Sequence, residues 1–296
     1  MFDEFKSAFQ RHNNAHAQLI IINVVVFLTI GVVSVVAYAS KFPEPADFIY
    51  NQFTIPPTLA EYLTRPWTLF TYMFAHERWG ILHILFNMLG LYWFGKLFVE
   101  YLGSDKLVAV YILGGLAGGL LYLLMFNTVP FFIERSGFNG MVGASAAVFA
   151  IMVAAATLLP NYSFYLLFFG PVKIKFIAAI YVVISFLGTT QENAGGNIAH
   201  LGGALIGFVY IKQLQAGINW GLWITVTIDW FKDLFKSKPK VKVTYRGEER
   251  TSKKPSAPAS KASQAEIDVI LDKISDRGYE SLTKEEKEKL FNASKK

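Results

Sequence analysis

Residues 17–39 (AQLIIINVVVFLTIGVVSVVAYA) form an apolar run of 23 residues, and nothing else restricts the fold of this chain so strongly. A bilayer core about 30 Å thick is crossed by roughly 20 helical residues. Backbone polar groups in lipid must be satisfied within their own segment, which leaves a helix as the structure. The preceding residues include Lys6 and Arg11 but also Asp3 and Glu4. The run is also longer than the apolar core of a cleaved leader, so an uncleaved first span is expected.

Five further candidate spans follow at 80–98, 107–126, 142–159, 174–190 and 197–213. Charged or turn-rich text separates them: Glu100 to Lys106, Glu134 and Arg135, Pro160 to Lys175, and Gln191 to Asn197. The last two are short and are expected to be core helices sheltered by longer neighbours. Composition agrees with this reading. Hydrophobic residues make up 53% of the chain and charged residues 17%, against roughly 25% charged in a soluble domain. A soluble globule is excluded. The chain has no Cys, which excludes structural disulfides, iron–sulfur clusters and thiol chemistry.

Charge is unevenly placed. Residues 1–231 hold 11 Lys/Arg and 11 Asp/Glu, so the whole net charge of +6 belongs to residues 232–296. A nucleic-acid binder carries its basic surface on the folded body; a basic tail after an apolar body instead suits cytoplasmic retention and contact with anionic lipid. With six spans, both termini lie on one side. Lys6, Arg11, Lys96, Lys106, Lys173, Lys175 and Lys212 flank that side, and Lys41, Arg65, Arg78 and Arg135 flank the other. Cytoplasmic termini follow. The Pro-rich connection 40–79 then lies outside, and its Tyr, Phe and Trp content places it partly in the membrane interface.

The chain divides into an N-terminal cytoplasmic segment (1–16), a membrane domain (17–215), an interfacial amphipathic helix (216–235), a disordered basic linker (236–263) and a small helical element (264–296). The 218–235 text is rich in Trp and Phe but accumulates Asp229, Lys232 and Asp233, so it is read as lying in the interface rather than as a seventh span. Ser263 with Glu266, and Thr283 with Glu286, have capping-box spacing. Between them Ile267, Ile270, Leu271 and Ile274 form a helical apolar stripe that Gly278 ends.

Polar groups inside a membrane are costly and therefore informative. The second span holds His83 and Asn87 on one helical face; the fourth opens Gly140-Met-Val-Gly143-Ala-Ser145; the sixth opens Asn197-Ile-Ala-His200-Leu-Gly-Gly203, with Gly207 four residues on. All three sets fall near the extracytoplasmic ends of their spans. A serine hydroxyl needs a base within hydrogen-bond reach to act as a nucleophile. His200 can be that base for Ser145 if the fourth and sixth spans approach closely, which Gly203 and Gly207 permit. The Ser145 amide at a helix start, with His83 and Asn87 side chains, can supply oxyanion donors. No carboxylate lies near His200 in sequence except Glu192, so a third acidic member is not indicated. Each of these residues alone also has a structural reading: Ser34 and Ser185 as serines bonded to their own helix, Asn87 as glue between helices.

The text from Thr71 through His76 and Trp79, then His83 to Asn87, Gly143-Ala-Ser145-Ala, and Ala199-His200-Leu-Gly-Gly203 to Gly207 resembles the rhomboid family of intramembrane serine proteases. The resemblance covers roughly 17–215 and implies an all-α membrane protein, a rhomboid-like six-transmembrane-helix bundle with a long membrane-lying first loop. It implies Ser145 as nucleophile, His200 as general base, and His83, Asn87 and the Ser145 amide as the oxyanion site. It assigns Gly143 to the tight entry into the catalytic helix, and Gly203 and Gly207 to close packing. The fifth span and the 188–196 loop resemble a gate and cap over a wet cavity. Substrates would be single-pass or multi-pass membrane proteins, with no metal, cofactor or nucleic acid, and the location a bacterial inner membrane. The chain departs from the family pattern at Ala146, where Gly is usual, at Phe149, where Tyr is frequent, and in the wide spacing of His76 from His83. The readings that compete with it are a silent rhomboid-like binder of transmembrane helices, a transporter or channel lined by His83, Asn87 and His200, and a metal site on His76, His83 and His200.

Overall fold

The structure is a computed structural model, and it describes residues 13–134, 140–235 and 264–294. The first twelve residues, Arg135, the linker expected at 236–263 and the cap expected at Ser263 lie outside the described residues. The chain forms two compact units that divide between Lys236 and Ser237.

The first unit is a helical bundle. Its long helices are α1 (Ala15–Ala39), then α5 (Ile81–Leu102) and α6 (Ser104–Thr128) after the 40–79 connection, and α10 (Ala194–Gln215). These four are long and apolar enough to cross a membrane. Between them stand two shorter apolar helices, α8 (Ser145–Leu158) and α9 (Ile174–Leu187). At 1.5 Å per residue, the 14 residues of α8 reach only about 21 Å. Nearly all of α8 from Ala146 to Ala156 is buried, so it is the central post around which α5, α6 and α10 pack. Its Ala-rich text (SAAVFAIMVAAATL) is what allows three neighbours to come near.

Two expectations need correction. The sixth span is not short: α10 runs 22 residues. The fifth is short but not sheltered. α9 buries only Ile174, Ala178 and Ser185 and leaves Phe176, Ile180, Val183, Ile184, Phe186 and Leu187 exposed. Lipid solvates such a face as well as protein does, so apolar text in a membrane helix does not mark burial in the bundle.

The connection 40–79 is built of short turns of helix: α2 (Glu44–Asn51), α3 (Leu59–Thr64), α4 (Thr68–Thr71) and a 3₁₀ turn at Tyr72–Phe74. Side chains pin it to the bundle. Tyr72 Oη donates to the Gly115 carbonyl at 2.6 Å. Asn127 donates to the Pro57 carbonyl at 3.0 Å and accepts from the Leu59 amide at 2.8 Å. Arg78 pairs with Asp47 at 2.6 Å and lies over the Tyr50 ring; that guanidinium holds the Asp47 carboxyl below its ordinary range. Phe42, Phe48, Leu63, Trp67 and Trp79 are exposed. A short helix, α7 (Pro130–Ile133), follows α6.

The 160–175 connection is a β-hairpin, β1 (Ser163–Leu166) with β2 (Gly170–Lys173), Leu166 opposite Gly170. Gly170 takes φ +66°, which closes the turn. Tyr165, Leu167, Phe168 and Phe169 at its tip are all exposed. After α10, α11 (Leu222–Phe235) is a separate 14-residue helix packed on α6 through Ile224, with Leu222, Trp223, Val226 and Trp230 exposed.

The second unit contains α12 (Gln264–Arg277), a 3₁₀ turn at Tyr279–Ser281 and α13 (Lys284–Ala293). The capping box at Thr283 and Glu286 is formed, and Glu286 also receives Lys273 at 2.9 Å. Those contacts, Lys273 foremost, pull the Glu286 carboxyl down to about 2. Of the apolar stripe, Ile270 is buried and Ile267 and Ile274 are half-buried, while Leu271 is exposed. The buried line is therefore 267, 270 and 274, because the single partner helix covers less than a full apolar face.

Candidate active site

Chain entry into α8 determines where Ser145 stands. Met141 forms a two-bond bridge with Ile55, both bonds 2.9 Å, and the Gly143 amide donates to the Tyr72 carbonyl at 3.1 Å. The 40–79 connection thus holds the segment just before the serine. Gly143 takes φ +143°, and a Cβ there would fall 3.1 Å from His83 Cε1 and Nε2 and 3.6 Å from Ser145 Oγ. Only glycine fits that backbone beside both side chains. Ser145 is the first residue of α8, so its amide belongs to the helix start that has no intrahelical acceptor.

His200 comes from the first third of α10. Its Nε2 lies 2.8 Å from Ser145 Oγ. Close approach of α10 to α8 is made by glycine: a Cβ on Gly203 would collide with the Ala146 carbonyl, and one on Gly207 with the Ala150 carbonyl. Phe149, one turn below Ser145, stacks on the His200 ring with centroids 4.1 Å apart and planes 11° from parallel. The other ring nitrogen, Nδ1, is 3.1 Å from the hydroxyl of Ser185 on α9. Ser185 is buried. Its sequence context reads as a serine bonded to its own helix; no signal in the text, other than its polarity in an apolar helix, points to His200.

On α5, Asn87 is buried and one of its amide hydrogens goes to the His83 carbonyl at 2.9 Å, which leaves the second for another acceptor. His83 and Asn87 share the face turned toward α8. His76 packs behind them, its ring edge-on to His83 with centroids 5.2 Å apart. Both nitrogens of His76 and Nδ1 of His83 are buried without a hydrogen-bond partner among the described residues. Burial, with the His83 ring beside it, holds the His76 imidazole down to about 3, so it is neutral. Among the described residues no group of three or more His, Asp or Glu is arranged to hold a metal, so His76, His83 and His200 do not form such a set.

Of the seven residues singled out in the text, Ser145, His200, His83, Asn87 and Gly143 stand toward the starts of α5, α8 and α10, while Gly203 and Gly207 lie further along α10, against the Ala146 and Ala150 carbonyls of α8. The pinning by Ile55 and Tyr72 and the Ser185 contact were not legible in the text. A hydroxyl, an imidazole on it and amide-type donors beside it can perform acyl transfer.

A family model described as "Rhomboid domain" matches residues 63–215, just over half of the chain. A second, a family of unknown function, matches residues 259–296. Among curated relatives, RHOMBOID-like protein 12, mitochondrial, of Arabidopsis thaliana is 33% identical over 159 residues, covering 51% of this chain and 47% of that protein. RHOMBOID-like protein 1 of the same plant is 34% identical over 157 residues, covering 51% and 36%. Rhomboid protein 1, mitochondrial, of Saccharomyces cerevisiae is 28% identical over 159 residues, covering 51% and 42%. The matched part of the chain spans about half or less of the length of these relatives. The matched stretch contains α5, α6, α8, α9 and α10 and every one of the seven singled-out residues, and on that match the chain belongs to the rhomboid family of membrane proteins.

Proposed function

We propose that this chain is an intramembrane serine endopeptidase that cuts a peptide bond in or near a transmembrane segment of membrane-protein substrates. The observation that carries the reading is the 2.8 Å contact between Ser145 Oγ and His200 Nε2 at the start of α8. In the proposed reaction Ser145 attacks the scissile carbonyl while His200 Nε2 takes its proton. The oxyanion that forms is met by the Ser145 amide, the free hydrogen of the Asn87 amide and His83 Nε2. His200 then returns the proton to the leaving amine, and water on the same imidazole releases the acyl-enzyme. Intact helical carbonyls are already bonded, so a substrate helix must unwind locally to be cut, which favours small and helix-weakening residues at the scissile point.

The proposal includes six spans, with α8 crossing inside the ring of longer helices and α9 crossing as an outer wall, and cytoplasmic termini in a bacterial plasma membrane. It also includes the five-part division of the chain, in which a basic linker at 236–263 meets anionic lipid and joins a separate C-terminal helical element. Supporting the topology is the charge asymmetry of the flanks. Purified protein in liposomes is expected to cleave a reporter transmembrane substrate, with Ser145→Ala and His200→Ala each reducing the rate by three orders of magnitude or more. Equal cleavage by wild type and both variants, or failure of wild type to cleave and of a serine-reactive phosphonate to label Ser145, would turn the reading to a silent helix-binding protein.

A further inference from the structure

We propose that Ser185 is the positioning residue for His200, a neutral third member that replaces the acid of a conventional triad. The inference rests on the protease reading, which it deepens. For His200 to accept the Ser145 proton, Nε2 must be bare, and a neutral imidazole then carries its proton on Nδ1. That Nδ1–H needs an acceptor to fix the tautomer and the ring plane. Ser185 Oγ lies 3.1 Å from it. The ring is held from the other direction by the Phe149 face, so one contact fixes its tilt and the other its rotation and proton. No carboxylate approaches His200 in any hydrogen bond or ion pair among the described residues. A hydroxyl suits the location. It orients the base without placing a charge in the membrane, where an ionised carboxylate is costly.

Three features set Ser185 apart from an ordinary helix serine. It is one of only three buried residues on α9. Its hydroxyl meets a side chain of another helix instead of remaining within its own. It is also the residue by which α9, otherwise bare on its outer face, reaches the base. The seating of α9 and the protonation pattern of His200 are thereby joined through one bond.

Thr and Val at position 185 have the same shape and differ only by the hydroxyl, so their comparison isolates the bond from packing. Ser185→Thr is expected to keep kcat within about twofold of wild type. Ser185→Val and Ser185→Ala are expected to lower kcat about three- to tenfold with KM unchanged, the range of one net hydrogen bond. Protein labelled with ¹⁵N at its five histidines gives a second readout, with the His200 signals identified by their loss in His200→Gln. Wild type and Ser185→Thr should show a protonated Nδ1 and a bare Nε2, and Ser185→Val a mixture of tautomers. Thr and Val variants that match in kcat and in ¹⁵N pattern would overturn the inference while leaving the protease reading intact. Should wild type neither cleave nor take a phosphonate label, the protease reading falls, and the ¹⁵N comparison still decides whether Ser185 sets the tautomer.

Discussion

At the scale of single residues, the site depends on how near two backbones come. Gly203 faces the Ala146 carbonyl so closely that a methyl group has no room, and the obstacle is backbone, which cannot rotate away. Gly203→Ala should therefore push α10 from α8, lowering stability by about 1–3 kcal/mol and lengthening the Ser145–His200 contact, with a loss of cleavage larger than the stability change explains. Gly31 on α1, where a Cβ meets nothing within 4 Å, is the control: Gly31→Ala should unfold at the same or a slightly higher temperature in detergent. His76 makes a different test. Its folded imidazole titrates near 3 because burial and then His83 oppose its charge, whereas in the unfolded chain it titrates near 6.5. The folded value is depressed, so the contribution to stability is complete above about pH 6.5. It is lost as pH falls toward 3, with a slope of at most about 1.4 kcal/mol per unit. Thermal unfolding at pH 7.5 and 5 should show this drop in wild type and a smaller one in His76→Leu; an equal drop in both would assign it elsewhere, to His83 and Glu77 beside it. Much at this scale was legible in the text, because a hydroxyl, an imidazole and an amide stand out in apolar helices. Ser185 was not, since a serine in a helix ordinarily bonds to its own backbone.

At the scale of elements, the positions of the helices follow from apolar run length, and their ends fall within a few residues of the expected bounds. What run length does not carry is the rank of a helix in the bundle. α8 and α9 have equal lengths and similar apolar text, yet α8 is enclosed and α9 is a wall. The distinction lies in side-chain size: α8 is mostly Ala on the sides where neighbours press, and α9 presents Phe, Ile and Val outward. The hairpin at 163–173 was also missed, because the Pro and Lys residues around it read as loop and its strands are only four residues each. Its tip makes a definite prediction. Leu167, Phe168 and Phe169 are 90%, 87% and 78% exposed, which is unfavourable in water and favourable at the lipid boundary. Since the chain has no cysteine, Phe168→Cys carries an environment-sensitive dye at one place only. Emission should be blue-shifted in vesicles and quenched by lipids brominated on their acyl chains. A dye at Glu285→Cys, on a polar helix of the second unit, should stay in water.

For the whole molecule, the decisive matter is how many times the chain crosses the membrane. Four helices meet the length requirement and two fall short. A short helix cannot span about 30 Å of hydrocarbon by itself. It can do so inside a ring of longer helices, where protein and a water-filled recess occupy the rest of the thickness. Enclosure of α8 by α5, α6 and α10 satisfies that condition, and Ser145 stands half-buried at the helix start. Six crossings put residue 42 on one side and residue 168 on the other; four crossings by the long helices alone put these two residues on the same side. Single cysteines at Phe42 and Phe168 in sealed vesicles separate the cases. An impermeant thiol reagent should reach only one of the two before detergent is added and both afterwards. A cysteine at Leu222, the first residue of α11, adds a second comparison: four crossings by the long helices alone would put residues 168 and 222 on opposite sides. With six crossings positions 168 and 222 share a side, and both are labelled from the face that carries the basic flanks. Labelling of 42 and 168 together would remove the crossing by α8, and with it the outward-facing recess on which the proposed chemistry at Ser145 depends.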